Sequence, residues 1–216
     1  MKRRDFVVAG AAALAAGGIA APSLGAEKAS RTFRILRDGD DIGTHALEAV
    51  QGASGFEIGV TIRIAVKVLG ITAYRYEMDN REVWSGGKIV SVESRVNDDG
   101  TDDRCTVRRS GERLTVTGSR FSGETSGDAA TTSYFAQPFL QRQPWISTQS
   151  GAPLDLAIGA VPGRAGWFDV RGGLNTVLGY DDRGEWTGCE FDAGGELARY
   201  EIISQSGQIG ALWSSV

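Results

Sequence analysis

The sequence contains a single histidine, His45, which is the first candidate for a general base or a ligand-binding side chain. It lies in the fragment IGTHALE, on a predicted strand beside a turn. A catalytic triad needs a nucleophile and an acid around the imidazole, and no G-x-S-x-G nucleophile motif occurs. We therefore predict no catalytic residue. A structural or surface histidine is the simpler interpretation of His45, and a place in a ligand-binding wall is the alternative.

Carboxylates cluster at positions 38–41, 98–103 and 181–182, and oxygen-rich loops of this kind can bind calcium. None of the three has the twelve-residue EF-hand spacing, and each falls where a hairpin turn is expected, for which Asp and Gly are favoured. Two cysteines and one histidine cannot supply the four ligands of a structural zinc site. We expect no metal, and no cofactor-binding motif is present.

The two cysteines, Cys105 and Cys189, both lie in strand-like segments. A disulfide between them is one alternative, since an oxidising compartment permits it. Two separate buried thiols are the other, because free cysteine is among the most buried residue types. The choice depends on whether their Cα atoms come within about 7 Å, which spacing along the chain does not determine.

The first 26 residues have the layout of a secretory signal peptide. Three basic residues are followed by an apolar run rich in Ala and Gly, then by a proline and the small residues before a cleavage site near Ala26. The pair Arg3-Arg4 is typical of the twin-arginine export route. We predict a periplasmic protein that has no stable membrane anchor after cleavage.

The segment from residue 27 to the end has 20 basic and 26 acidic side chains, a net charge of −6. A mildly acidic domain lacks the basic surface that nucleic-acid binding requires. Charge alone should also not draw it to an anionic lipid surface. Residues 27–216 are long enough for one all-β domain, and no interdomain linker is visible.

Strand-like runs alternate with turns rich in Gly, Asp and Asn along most of the chain. The longest run, FEIGVTIRIAVKVLG, places seven large apolar residues on every second position from Phe56 to Val68. A period of two puts all seven on one face of a single strand. The sequence contains no amphipathic helix of ten or more residues that could cover this face. It must lie against another sheet, the same sheet curled on itself, or a ligand.

Residues 119–153 interrupt the strand pattern with three prolines and many small polar residues. We interpret the segment as a loop or lid insert with at most a short helix that Pro138 interrupts, and an ordered surface loop as the simpler alternative. The predicted fold class is all-β: one large curled antiparallel sheet, a half-barrel or barrel, with a short, partly helical insert. The C-terminal tail is expected to add an edge strand or to fray.

Four fragments in order resemble an uncharacterised family of exported bacterial all-β proteins, a domain of unknown function. They are ILRDGDDIGTHALEA, VKVLGITAYRYEMDNREVWSGGKIVSVESRVNDDG, TTSYFAQPF and LGYDDRGEW. The resemblance covers most of residues 31–202 and implies no activity. This chain departs from the pattern in lacking a Trp after Tyr134 and another before Tyr180. The strand plan is also similar to lipoprotein-carrier half-barrels, which is a likeness of architecture only.

Two functions fit these features better than an enzyme does. The first is a binding protein that holds an apolar or lipid-like small molecule in the curled sheet, and the second is an envelope protein–protein interaction module with a filled core. For the first function, the residues we select for the ligand wall are His45, Tyr74, Tyr76, Trp84 and Tyr134. Aromatic residues on strands are more often core, and that alternative stands beside this selection.

Overall fold

The structure is a computed structural model, and it describes residues 26–52 and 55–215. Most of these residues belong to β-strands. The predicted signal peptide, apart from Ala26, lies outside the described residues. In the described ranges no helix is both long enough and apolar enough to cross a membrane.

Eight strands fill the first half of the chain, joined mostly by tight turns. They are β1 (Glu27–Arg37), β2 (Asp40–Gly52), β3 (Gly55–Val68), β4 (Ile71–Ser85), β5 (Lys88–Asp98), β6 (Thr101–Ser110), β7 (Arg113–Gly118) and β8 (Ser122–Ser126). The long strand predicted from the period-two pattern is therefore present as β3. Its first large residues, Phe56, Ile58 and Val60, are buried, whereas Ile62 and Ile64 farther along the same face are only half-buried.

The second half contains a region of short elements and then five more strands. The elements are β9 (Ala130–Thr131), a 3-10 helix (Gln137–Gln141), β10 (Trp145–Ile146), β11 (Pro153–Leu154), β12 (Leu156–Ala160), β13 (Trp167–Gly172), β14 (Thr176–Tyr180), β15 (Trp186–Asp192), β16 (Leu197–Ser206) and α1 (Ile209–Ser214). Both expectations for the C-terminal tail, an added edge strand or fraying, are wrong. Residues 204–206 complete β16, and Ile209–Ser214 form the short helix α1.

Thirteen strands form one antiparallel sheet in the order β12-β13-β14-β15-β16-β1-β2-β3-β4-β5-β6-β7-β8. Neighbours in this order are also neighbours along the chain, except where β16 pairs with β1. The sheet is curled and is not closed, since β12 and β8 stand at its two ends. The predicted all-β half-barrel is confirmed.

The insert packs against the concave face of the sheet and does not run over the surface. Phe135, Ala136, Phe139, Trp145 and Ile146 are all fully buried in the main hydrophobic cluster. The interpretation as a surface loop is therefore wrong. A curled sheet needs a second apolar layer, and this segment supplies it at one end of the half-barrel.

Proline does not interrupt the short helix of the insert, contrary to the prediction. Pro138 lies in its first turn, where the missing N–H would have no partner inside the helix in any case. The segment also contributes β9, β10 and β11 to a small sheet of its own. The insert is thus an ordered plug; below, "the plug" means residues 127–154.

The two cysteines are far apart in the sheet order, Cys105 on β6 and Cys189 on β15. Both are free and buried. Of the two alternatives left open by the sequence, the structure thus contains separate buried thiols and not the disulfide. Burial raises the pKa of each thiol to about 12, so both stay protonated at neutral pH.

Candidate functional site

The concave face carries a cavity of about 710 Å³ at the end of the half-barrel that the plug leaves uncovered. One wall is the second half of the β3 apolar face, Ile62, Ile64 and Val66. Tyr74 and Tyr76 of β4 continue this wall, because β4 pairs with β3 so that Tyr76 lies opposite Ile64. The plug therefore covers the start of the apolar face of β3, and the end of that face is open to the cavity.

The opposite wall comes from the second half of the chain. Leu174, Cys189, Phe191 and Tyr200 line it, and Tyr134 of the plug forms part of the boundary between the two walls. Burial raises the pKa of the Tyr134 and Tyr200 hydroxyls well above the usual value, so neither ionises at neutral pH. These two walls are thus predominantly apolar, and their tyrosines are uncharged.

One group of polar side chains lies at the β4 side of the cavity. The Tyr74 hydroxyl donates to Asp98 Oδ1 at 2.8 Å. The side-chain amide of Gln149 donates to Asp98 Oδ2 at 3.3 Å and to Asp103 Oδ2 at 3.2 Å. Burial, and next the bond to Asp98, raise the pKa of Tyr74, so this phenol remains a donor.

Two further polar groups of the lining have spare hydrogen-bonding capacity. Among the described residues, the Tyr76 hydroxyl has one hydrogen-bond partner, the Met78 thioether at 3.7 Å, which is a weak acceptor. The Arg37 guanidinium lies at the mouth and donates from Nε to the Ala193 carbonyl at 2.8 Å. A ligand with one polar end would meet these donors and, over most of the remaining wall, apolar side chains. Asn175, Thr176 and Asp192 are further polar groups of the lining.

His45 lies beside this site and does not line it. The ring is buried, with its centroid 5.0 Å from that of Trp186 and its Nδ1 3.4 Å from the Tyr200 hydroxyl. Burial lowers its pKa to about 3, so the imidazole is neutral at physiological pH. Its Nε2 has no hydrogen-bond partner among the described residues. The position fits a structural histidine that supports the Tyr200 wall.

Trp84 also lies outside the cavity, in the core beneath the plug. Its ring packs against Phe135, Phe139 and Trp213, and its Nε1 donates to Glu82 Oε2 at 2.9 Å. Of the five residues selected from the sequence, the structure therefore brings three together around the cavity, Tyr74, Tyr76 and Tyr134. It places the other two behind the cavity wall and in the core.

A buried carboxyl that the sequence analysis did not select, Glu82, joins the plug to the sheet. Its oxygens accept hydrogen bonds from Asn80 at 2.8 Å, from Trp84, and from the Thr131 hydroxyl of the plug at 3.1 Å. Burial raises its pKa, and these donors act in the opposite direction. The one sequence signal for it is its position on the same face of β4 as Tyr76, Met78 and Trp84.

The sequence analysis also missed the wall formed by Leu174, Phe191 and Tyr200. Each stands on or beside a short strand of the second half, and nothing local shows that β16 pairs with β1. In the described part of the chain, no group of three His, Cys, Asp or Glu side chains is placed to hold a metal ion. The arrangement suits non-covalent binding of a small molecule with an apolar body.

The model of a domain of unknown function, DUF6134, matches residues 33–203 of the chain. A solved structure, a "beta-barrel-like protein of domain of unknown function DUF1849" from Brucella abortus, is similar in fold with a TM-score of 0.50. The two chains are 10% identical, and the match covers 83% of this chain and 97% of that one. A search of curated proteins finds no match.

Proposed function

Because this chain belongs to the DUF6134 family, a domain of unknown function, we propose its function from the cavity. It is a non-enzymatic binding protein for an apolar or lipid-like small molecule. The cavity observation carries the proposal. Its volume of about 710 Å³ is within the range of about 300–1,000 Å³ that is usual for ligand pockets. Its walls come from both halves of the chain.

The ligand class follows from the lining. Aliphatic and aromatic side chains form most of the surface and favour a hydrocarbon body through burial of apolar area. The donors Tyr76 and Arg37 lie at the cavity wall and mouth and suit an oxygen-bearing end group. The leader predicted from the sequence makes the periplasm the compartment in which we propose this binding occurs.

The first test is mass spectrometry of the protein, recovered without detergent from its native periplasm. We expect a reproducible extra mass under native conditions that disappears on extraction with organic solvent. The same preparation, after extraction, should then bind the neutral apolar dye N-phenyl-1-naphthylamine with increased fluorescence. A protein that carries no extra mass and does not bind the dye contradicts the proposal.

A matched pair of variants on β3 locates the binding. Ile64→Trp fills the cavity, whereas Thr61→Trp adds the same ring to the exposed convex face of the same strand. We expect dye binding to fall at least about tenfold in the first variant, because the added ring displaces the probe, and to stay unchanged in the second. Equal binding by both variants would place the dye elsewhere.

The interaction module is the second candidate, and one observation favours it. Strand β12 ends the sheet. At its first residue, Leu156, the side-chain amide of Gln143 bonds both the backbone N–H and the C=O, and within the described ranges no other side chain does so along this strand. The rest of that edge could accept a strand from a partner. Ile158→Pro should then abolish capture of a partner without unfolding the protein, and retained capture would exclude this edge.

A further inference from the structure

One end of the sheet carries an unusual apolar turn. The hairpin between β3 and β4 exposes Leu69 to 98% and Ile71 to 74% of their surfaces, the two highest values among the exposed large apolar residues of the described chain. Lys67 beside them is also exposed. Single exposed apolar side chains are common on protein surfaces. Two of them together at the tip of one hairpin indicate a site of interaction with another surface.

The backbone of this turn is also unfavourable for the residue it holds. Leu69 has a φ of +52°, in the left-handed region that Gly, Asn and Asp adopt more readily. The corresponding position of two other turns, Asp38 and Asp99, is occupied by aspartate at a φ of 49°. Leu69 therefore differs from the aspartates that occupy the same position in the other two turns. Its left-handed backbone costs folding free energy, and its side chain gains no burial in return.

The hairpin tip stands at the mouth of the cavity. Val66 and Tyr74, which flank the tip on its two strands, both line the cavity. Because the strands are antiparallel, the β1–β2, β5–β6 and β15–β16 turns lie at the same end of the sheet. Whatever surface the tip contacts will therefore face the opening through which a ligand enters.

The neighbouring turns determine what kind of surface fits. They are mainly acidic, and the basic side chains nearest the tip, Arg37, Lys67 and Arg75, are outnumbered. The acidic residues are Asp38, Asp40, Asp41, Asp98, Asp99, Asp102, Asp192 and Glu196. An anionic bilayer would repel them. A stable protein partner would need about 1,600 Å² of interface and roughly 20–30 residues a side, far more than two tip residues offer. A shallow apolar insertion into an uncharged interface needs no charge attraction, and two large side chains give it a small apolar area and therefore a weak affinity.

We infer that the Leu69–Ile71 tip inserts into a zwitterionic lipid surface and places the cavity mouth against it. The inference goes beyond ligand binding, since it concerns where the mouth docks and holds whether or not the cavity is occupied. The contact is weak and reversible, because only two large side chains leave water. An apolar ligand could then move between bilayer and cavity without crossing open solvent.

The test uses an environment-sensitive nitrobenzoxadiazole label at Thr72→Cys, one residue after Ile71. Cys105 is buried in the core, and Cys189, which lines the cavity, is replaced by alanine, so the label goes to the new cysteine. The protein is recovered from the periplasm of an expression host, with its N-terminus read by mass spectrometry. We expect brighter, blue-shifted emission with phosphatidylcholine vesicles, and no change for the same label at Ser85→Cys, which is on β4 at the other end of the sheet.

Two comparisons make the outcome decisive. The double substitution Leu69→Ser with Ile71→Ser should weaken the apparent partition coefficient at least about tenfold, as loss of two apolar side chains requires. Adding phosphatidylglycerol should weaken binding at low salt, and salt should restore it. No response to phosphatidylcholine, an equal response from the serine variant, or a lipid-free response that grows with protein concentration would overturn the inference. The last outcome would instead indicate self-association.

Discussion

Trp84 of β4 and Phe139 of the plug stack with their ring centroids 5.0 Å apart and an angle of 26° between the ring planes. Trp213 of α1 packs edge-on against both rings, with centroids 5.9 and 5.4 Å away. Three separate parts of the chain therefore meet at one aromatic cluster. The plug and the helix are held to the sheet as parts of the core.

Removal of the plug ring should destabilise the whole domain. Phe139→Ala deletes a fully buried phenyl group and leaves a void against Trp84, so we expect a loss of about 3–5 kcal/mol in the free energy of unfolding. Urea denaturation followed by tryptophan fluorescence measures it. The exposed neighbour Gln141→Ala should change the same quantity by less than about 0.5 kcal/mol. Equal effects at both positions would show that the plug is not part of the cooperative core.

Glu82 should make the protein less stable as the pH rises. Burial raises its folded-state pKa above the usual value of 4.5, so the folded state holds the proton more tightly than the unfolded state does. The contribution of Glu82 to the free energy of unfolding is complete below pH 4.5. It is lost as the pH rises towards the folded-state pKa, at about 1.4 kcal/mol per pH unit within that window. Glu82→Gln cannot ionise and should remove this loss.

The Glu82 comparison is made by measuring unfolding of both proteins from pH 5 to pH 8. The variant should gain stability over the parent with increasing pH. The amide of Asn80 can support the change, since its Oδ1 has no partner among the described residues and a flip would let it accept from the new side chain. Parallel pH profiles for the two proteins would show that Glu82 has an ordinary pKa.

His45 should act in the opposite direction. Its pKa falls from 6.5 to about 3 on folding because burial disfavours the imidazolium. The unfolded state therefore binds more protons in this range, and stability decreases as the pH falls from 6.5 towards 3, again at about 1.4 kcal/mol per unit within the window. His45→Leu should show a shallower acid limb in thermal unfolding between pH 6.5 and pH 4. A limb as steep as that of the parent would contradict the buried, neutral assignment.

The buried pair of Arg31 and Glu185 should be sensitive to the loss of one partner. Glu185 lies 3.4 Å from Arg31 and also accepts the N–H groups of Ile209 and Ala211 at the start of α1. Glu185→Ala leaves a buried guanidinium without its counter-charge, so we expect a loss of about 3–5 kcal/mol in the free energy of unfolding.

An exposed ion pair supplies the control for Glu185. Asp79 contacts Arg63 at 2.6 Å on the convex face, where solvent screens the charges. Asp79→Ala should cost no more than about 1 kcal/mol. If the exposed and buried substitutions had equal effects on urea denaturation, the Arg31–Glu185 pair would have no special role in holding α1.

Most strands of the sheet were predictable because they alternate apolar and polar residues over a length set by their turns. Strand β8 was not, because its residues Ser122–Ser126 include no large apolar side chain and it lies within the segment interpreted as an insert. The period-two run from Phe56 to Val68 gave β3 directly. The plug was not predictable in the same way, since its buried aromatic residues follow neither a strand nor a helix period. They are buried because the curled sheet offers them an apolar face, which is a property of the assembled fold.

The cavity was predictable only on one side. Tyr74 and Tyr76 could be selected because they follow the long apolar strand closely in sequence and share one strand face. The wall around Phe191 and Tyr200 required knowledge that the last strand returns to the first. Trp84 and His45 are residue types that are common in binding sites. The plug encloses Trp84, however, and the wall formed by β15 and β16 encloses His45. Composition cannot separate an enclosed aromatic ring from a lining one.

The pairing of β16 with β1, in which Ser30 lies opposite Ser206, has a consequence for the order of folding. During synthesis, β1 can pair with β2 early, but its other edge stays open until nearly all of the domain has been made. Long-range strand pairing of this kind slows folding and leaves an unpaired edge open to other chains in the meantime. The thirteen-strand sheet is therefore completed at its middle, and a nascent chain that stops before β16 has two unfinished sheets in place of one.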